Sequence, residues 1–255
     1  MANLELIKKL NQKYNKRSPF TQSTKSFSLN ESFDTRNIEA SIQNNIQTLG
    51  SNYTKYFDEG KDAEVVLLFI DVCNFSTRFN HFNGKQISQY FDEYYDKIIP
   101  IIYEYGGEID KIIGDGIICV FGQPFLAKSL QDCIKEADKC AKKIIRETYN
   151  TNKFESKIAF HFGTINYFKN KSGFYNELTI VGKPLTELFR LESISENERI
   201  NYFVKYQYAS NWNADINKSA YDNILWKLEE IKDIPEKLKG VDYKYIQTNK
   251  YWDIK

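Results

Sequence analysis

Residues 64–71 read Glu-Val-Val-Leu-Leu-Phe-Ile-Asp, an unbroken apolar run closed by an acid. Such a run lacks the alternation of a half-solvated strand and predicts one buried on both faces, central in its sheet. Downstream, Ile87, Tyr90, Phe91, Tyr94, Ile98, Ile101 and Tyr105 recur at spacings of three and four. That is the stripe of a long amphipathic helix, and Gly106-Gly107 ends it. Pro100 lies inside the stripe and is expected to kink or divide the helix. Two short β-branched runs, 108–113 and 117–121, flank Gly114-Asp115-Gly116, a strong hairpin signal. A second helical stripe follows at Leu130, Cys133, Ile134, Ala137, Cys140, Ala141, Ile144 and Ile145. Residues 153–164 and 177–181 read as strands, about 184–191 as a helix, and 224–231 and 241–247 as strands around Lys237-Leu238-Lys239-Gly240. Residues 1–60 are polar, with a weak helical stripe at Ile38, Ile42, Ile46 and Leu49, and predict a helical arm ahead of one domain over 61–255. The order β-α-β-β-α-β predicts an α+β ferredoxin-like core, an antiparallel sheet with two helices packed on one face.

Composition narrows the class without naming a function. The 255 residues carry 35 Lys+Arg against 34 Asp+Glu, a net charge of +1 that gives no footprint of a general nucleic-acid or acidic-membrane binder. A hydrophobic fraction of 42% is enough to fill a core and excludes global disorder. The longest apolar run, 65–70, falls far short of the roughly 20 residues of a spanning helix, and the N-terminus has no leader-like pattern. A cytoplasmic protein is expected. Cys73, Cys119, Cys133 and Cys140 form no CxxC pair or metal-like spacing and read as reduced core thiols. His81 and His161 have no Ser, Cys or metal-ligand partner at a telling spacing, so structural roles are expected for both.

The chemistry lies with two acids. Asp71 ends the buried strand and Asp115 sits at the hairpin tip, so one sheet can bring both carboxylates to the same edge. Such a pair can hold Mg²⁺ or Mn²⁺ against a polyphosphate, because hard cations take oxygen ligands and keep substrate oxygens in their shell. Taken singly, Asp115 reads as a turn residue and Asp71 as the cap of a helix beginning near Asn74.

Together the segments resemble a family. Phe69-Ile-Asp-Val-Cys-Asn-Phe-Ser76 looks like the first metal-binding stretch of class III nucleotidyl cyclases, and Gly107-Glu-Ile-Asp-Lys-Ile-Ile-Gly-Asp-Gly116 with Phe121-Gly122 like the second. Gly182-Lys-Pro-Leu-Thr-Glu-Leu-Phe-Arg-Leu-Glu192 resembles the segment that supplies transition-state residues. The match spans about residues 62–246. It implies that the 3′-hydroxyl of a nucleoside triphosphate attacks its own α-phosphorus while pyrophosphate leaves, with two divalent metals, Mn²⁺ or Mg²⁺. Asp71, Asp115 and the Val72 carbonyl would be ligands, and the backbone amides of Asn74, Phe75, Ser76 and Thr77 would face the phosphates. Arg190 matches the arginine that steadies the α-phosphate. Thr186 falls where the family usually places a ribose-orienting asparagine, and Lys239, with Lys237 as competitor, matches a phosphate-binding lysine.

Base recognition maps to Lys111 and Thr179. A lysine only donates, so it suits adenine N1, uracil O2 or O4, or cytosine N3, and disfavours the N1 and N2 donors of guanine. Thr179 stands where adenylate cyclases often have an aspartate, and its hydroxyl can donate or accept. Tyr53 and Tyr175 are candidates to narrow the base pocket. One domain and a short arm resemble the pyrimidine cyclases of bacterial Pycsar anti-phage systems, implying cyclic UMP or cyclic CMP read by a separate effector. An adenylate cyclase and a degenerate nucleotide-binding domain are the alternatives. Both halves of the site occur once, which implies a head-to-tail homodimer with sites at the interface.

Overall fold

The computed structural model describes residues 51–169, 178–204, 225–235, 238 and 240–252. Five helices and nine strands occur among them: α1 (Ser51–Asp58), β1 (Asp62–Val72), α2 (Phe75–Arg78), α3 (Gly84–Glu104), β2 (Glu108–Ile113), β3 (Gly116–Gly122), α4 (Leu130–Thr148), β4 (Ser156–Lys169), β5 (Leu178–Val181), α5 (Lys183–Glu192), β6 (Arg199–Val204), β7 (Trp226–Leu228), β8 (Lys232–Asp233) and β9 (Tyr245–Tyr251). They build one sheet in the order β2-β3-β1-β4-β6-β9-β7, with β5 on β4 and β8 on β9. Strands β4-β1-β3-β2 are all antiparallel neighbours, the expected ferredoxin-like core. Beyond β4 the sheet continues through β6, which pairs with it in parallel, and then β9.

β1 is central, as its apolar run predicts, because each of its faces meets a different core. Val66, Leu68, Ile70 and Val72 pack with the stripes of α3 and α4. Val65, Leu67 and Phe69 join Phe57 of α1 and Leu188 and Leu191 of α5 on the opposite face. The two-helices-on-one-face expectation is thus met by α3 and α4, while α5 and α1 cover the side that a minimal ferredoxin-like fold leaves open.

Several boundaries differ from the sequence reading. Helix α3 runs through Pro100 undivided. The hydrogen bond that proline cannot donate would have gone to the carbonyl of Asp96, an exposed residue where water can take its place. Its start is fixed by a capping box, with Gln86 N–H donating to Asn83 Oδ1 at 3.0 Å and Asn83 N–H to Gln86 Oε1 at 2.9 Å. β4 starts three residues later than expected and extends to Lys169, β9 is displaced four residues toward the C-terminus, and 224–231 holds only the three-residue β7. β6 had no counterpart in the sequence reading. The helical stripe at 38–49 lies outside the described residues. Within the expected arm, α1 lays Tyr56 and Phe57 edge-on against Tyr167 of β4, at ring-centroid distances of 5.6 and 4.9 Å.

All four cysteines are free and buried, as read from their spacing. His161 is buried with Nε2 3.0 Å from Glu187 Oε2, a contact that holds α5 on the sheet, and His81 lies edge-on to Phe82. Among the described residues no helix is long and apolar enough to cross a membrane.

Candidate active site

The β2–β3 turn is made by two glycines with different tasks. Ile113 pairs with Gly116, leaving a two-residue loop of Gly114 and Asp115, and Gly114 adopts φ +60°, where a side chain is strained. Gly116 has no room for one: a Cβ there would stand 2.1 Å from Cε2 of Phe69. This close approach lets the tip of the hairpin lie beside the end of β1. Ile70 pairs with Ile117, so the ladder runs out with Asp71 beside Gly116 and Asp115 one residue beyond.

The two carboxylates feel each other. The Asp71 carboxyl is pushed up from 3.8 to about 7, mainly by burial and next by the charge of Asp115. Lys157, across the β1–β4 ladder from Asp71, counters this with its Nζ 3.3 Å from Asp71 Oδ2. That ammonium is shared, standing 2.7 Å from Glu192 Oε1 at the end of α5. Burial works against the charge of Lys157 most strongly, but its bonds to Glu192 and Asp71 outweigh burial and hold it above its ordinary range. One lysine thus serves a cluster of acids and leaves negative charge uncompensated. Hard oxygen donors with excess negative charge fit a divalent cation. Among the described residues no group of three or more His, Cys, Asp or Glu side chains is arranged to hold a metal, so Asp71 and Asp115 would need backbone and substrate oxygens to complete a shell. The Val72 carbonyl lies on the same stretch.

After β1 the chain turns tightly. Cys73 N–H donates to the Glu155 carbonyl at 2.8 Å, and Arg78 clamps the turn through Glu155 Oε2 at 2.6 Å. Asn74 adopts a left-handed conformation with φ +54° ahead of α2, which is a single turn. The amides of Thr77 and Arg78 both donate to the Asn74 carbonyl, at 3.2 and 3.0 Å. The Thr77 amide is therefore spent inside the turn that was expected to offer it to phosphate. Phe75 buries its ring against Phe79, Tyr90 and Phe91, so its backbone alone can face a ligand. Ser76 lies in the same turn.

The second half of the expected site lies on other strands. Thr186 and Arg190, four residues apart on α5, are both exposed on the helix face opposite the buried Leu188 and Leu191. Lys111 of β2 and Thr179 of β5 meet, with Lys111 Nζ donating to Thr179 Oγ1 at 3.0 Å and lying 3.1 Å from Asp110 Oδ2. Lys237, Lys239 and Tyr175 fall outside the described residues, as does the side chain of Tyr53. A few residues after Lys239 the chain meets α5 and β4: Asp242 pairs with Lys183, and Tyr243 packs edge-on to His161 at 5.4 Å. Lys157 and Glu192 were not singled out from the sequence as site residues. The signal for Lys157 is a cross-strand register, visible only once β1 and β4 are paired, and Glu192 joins it only once the end of α5 is set beside Lys157.

The sheet order and the covering helices match the catalytic-domain fold of the class III nucleotidyl cyclases. A guanylyl cyclase, Cya2, superposes with a TM-score of 0.59 at 20% identity, over 76% of this chain and 96% of its own. The dimeric guanylyl cyclase domain of the RhoGC fusion protein from the aquatic fungus Blastocladiella emersonii gives 0.56 at 15% identity over 74% and 96%. The adenylyl cyclase CyaB from P. aeruginosa gives 0.55 at 18% identity over 76% and 96%. No protein-family model and no curated protein sequence matches the chain.

Proposed function

We propose that this chain is a nucleotide cyclase that converts a pyrimidine nucleoside triphosphate, UTP or CTP, into its 3′,5′-cyclic monophosphate and pyrophosphate. The observation that carries the reading is the under-compensated Asp71–Asp115 pair at one sheet edge of a cyclase fold, with burial and mutual repulsion raising Asp71 to about 7. Mg²⁺ or Mn²⁺ ions held there would lower the pKa of the attacking hydroxyl and neutralise the departing polyphosphate. The 3′-oxygen bonds to the α-phosphorus, the bond from that phosphorus to the bridging oxygen breaks, and the hydroxyl proton passes to water. Arg190 supplies a planar fork of donors for the α-phosphate, Lys239 a point charge for the polyphosphate, and Thr186 a hydroxyl toward the ribose. The backbone from Asn74 to Ser76 lies toward the phosphates.

The exposed Arg190 and Thr186 suit a site completed by a second copy in head-to-tail arrangement, each interface taking its acids from one protomer and α5 from the other. A pyrimidine is favoured over guanine because Lys111 offers only donors, and over adenine because Thr179 replaces an acid that would accept from the amine. The resemblance of its sequence to Pycsar cyclases supports a product that acts in anti-phage signalling and is read by a separate effector. Adenine N1 also accepts from a lysine, which keeps an adenylate cyclase as the second reading. Incubation with ATP, GTP, CTP and UTP separately, each with Mn²⁺, followed by mass identification of the product, tests the assignment. A cyclic pyrimidine monophosphate is expected. Cyclic AMP as the dominant product would overturn the pyrimidine reading, and no product from any nucleotide would overturn the enzyme.

A further inference from the structure

Lys157 stands between two parts of the site that the fold keeps on separate elements. β4 sets it across the ladder from Asp71, and its Nζ lies 3.3 Å from Asp71 Oδ2 and 2.7 Å from Glu192 Oε1. All three side chains are mostly buried, so neither pair is readily replaced by water. Glu192 is the last residue of α5, and that end of the helix rests on β1 through Phe189, edge-on to Phe69 at 5.5 Å. A carboxylate at a helix C-terminus faces the negative end of the helix dipole and needs a cation beside it. Among the described residues Lys157 is the one cation paired with Glu192. Arg190 lies two residues before that contact.

A divalent cation and an ammonium compete for one carboxylate, since its charge draws both and they repel each other. Two ions served by Asp71 and Asp115 leave no Asp71 oxygen to spare, and Lys157 has a second acid to turn to. We propose that Lys157 is a positioning residue that exchanges partners. It gives up Asp71 to the incoming divalent cation and commits to Glu192, so that metal loading fastens the end of α5, the helix that presents Thr186 and Arg190. The inference rests on the cyclase reading for the metal site, and adds to it a route by which the ions order a helix. In the head-to-tail arrangement that helix serves the opposite interface, so the metal of one site prepares the other.

Two readouts on the full chain test the exchange without turnover: Mn²⁺ affinity by calorimetry, and amide hydrogen exchange of α5 by mass spectrometry. Lys157→Met, which removes the competing charge at similar length, should tighten Mn²⁺ binding about tenfold. Glu192→Gln, which leaves Lys157 with Asp71 alone, should weaken it roughly threefold, and this loss should shrink when Lys157 is already replaced. In the wild type Mn²⁺ should slow exchange over the last turn of α5 about threefold or more, and in both variants it should leave that turn unchanged. If Lys157→Met does not fold, Glu192→Gln decides alone: weaker Mn²⁺ binding with lost protection upholds the exchange, and any other result overturns it. Mn²⁺ bound no more tightly by a folded Lys157→Met, no Mn²⁺ binding to the wild type, or protection of α5 that survives the substitutions would also overturn it. The expected pattern in a protein that forms no cyclic nucleotide would uphold the exchange and overturn the cyclase reading instead.

Discussion

Replacing Asp71 by Asn should stabilise the metal-free protein, although it removes one of the two metal ligands proposed above. In the folded chain the Asp71 carboxyl is raised to about 7 by burial and by Asp115, while in the unfolded chain it keeps its ordinary 3.8. Between these values the folded state binds more protons than the unfolded one, so stability falls as pH rises through this window and levels off above it. The gap, at roughly 1.4 kcal/mol per pH unit, amounts to about 4 kcal/mol at most. Asparagine has no charge to desolvate and its amide oxygen can still accept from Lys157. For a domain of this size the gain corresponds to a rise in melting temperature of roughly 10 °C at pH 8 in EDTA. It should fade as pH falls to 3.8 and below, where the carboxyl takes up its proton in the unfolded chain as well. Melting curves of the two proteins across pH 4–9, with EDTA and then with excess Mn²⁺, provide the assay. Mn²⁺ should raise the melting temperature of the wild type and leave the variant unmoved. A variant less stable than the wild type at pH 8 in EDTA, or a difference independent of pH, would refute the electrostatic account of this site.

Three further outcomes follow from the same geometry. Asp115→Ala should abolish turnover and Mn²⁺ binding together, as read by product formation and by calorimetry, because the ions lose a shared ligand. Mixing the inactive Asp71→Ala and Arg190→Ala proteins should restore about one quarter of wild-type activity, since half the dimers are mixed and each carries one intact site of two. No recovery after subunit exchange would count against acids and arginine acting across an interface. Gly116→Ala should lower stability by about 1–3 kcal/mol in denaturant titration, because its methyl group meets the Phe69 ring.

The parts of the site that were legible in sequence are those written in local chemistry. The 64–71 run had to be a doubly covered strand, and Gly114-Asp115-Gly116 had to be a tight turn, so the two acids could be placed at one edge before any pairing was seen. The stripes of α3 and α4 were equally direct. What escaped was non-local or locally contradictory. Strand β6 carries Asn201 in its centre, fully buried because its amide reaches the carbonyls of Ile158, Glu196 and Arg199, and a polar residue there hides the apolar pattern. β9 buries Gln247, Thr248 and Asn249 for the same reason its start was read too early. Pro100 promised a break that solvent at the preceding turn makes unnecessary. Lys157 follows an unremarkable serine in the chain, and only the register of β4 against β1 sets it beside Asp71.

The central claim is that this fold closes a phosphodiester ring within one nucleotide. Phosphorus NMR of UTP incubated with the protein and Mg²⁺ observes that event directly. The account predicts equal amounts of pyrophosphate and a cyclic phosphodiester resonance, both absent with Asp115→Ala. UDP with inorganic phosphate, or UTP left unchanged beside intact, folded protein, would contradict it.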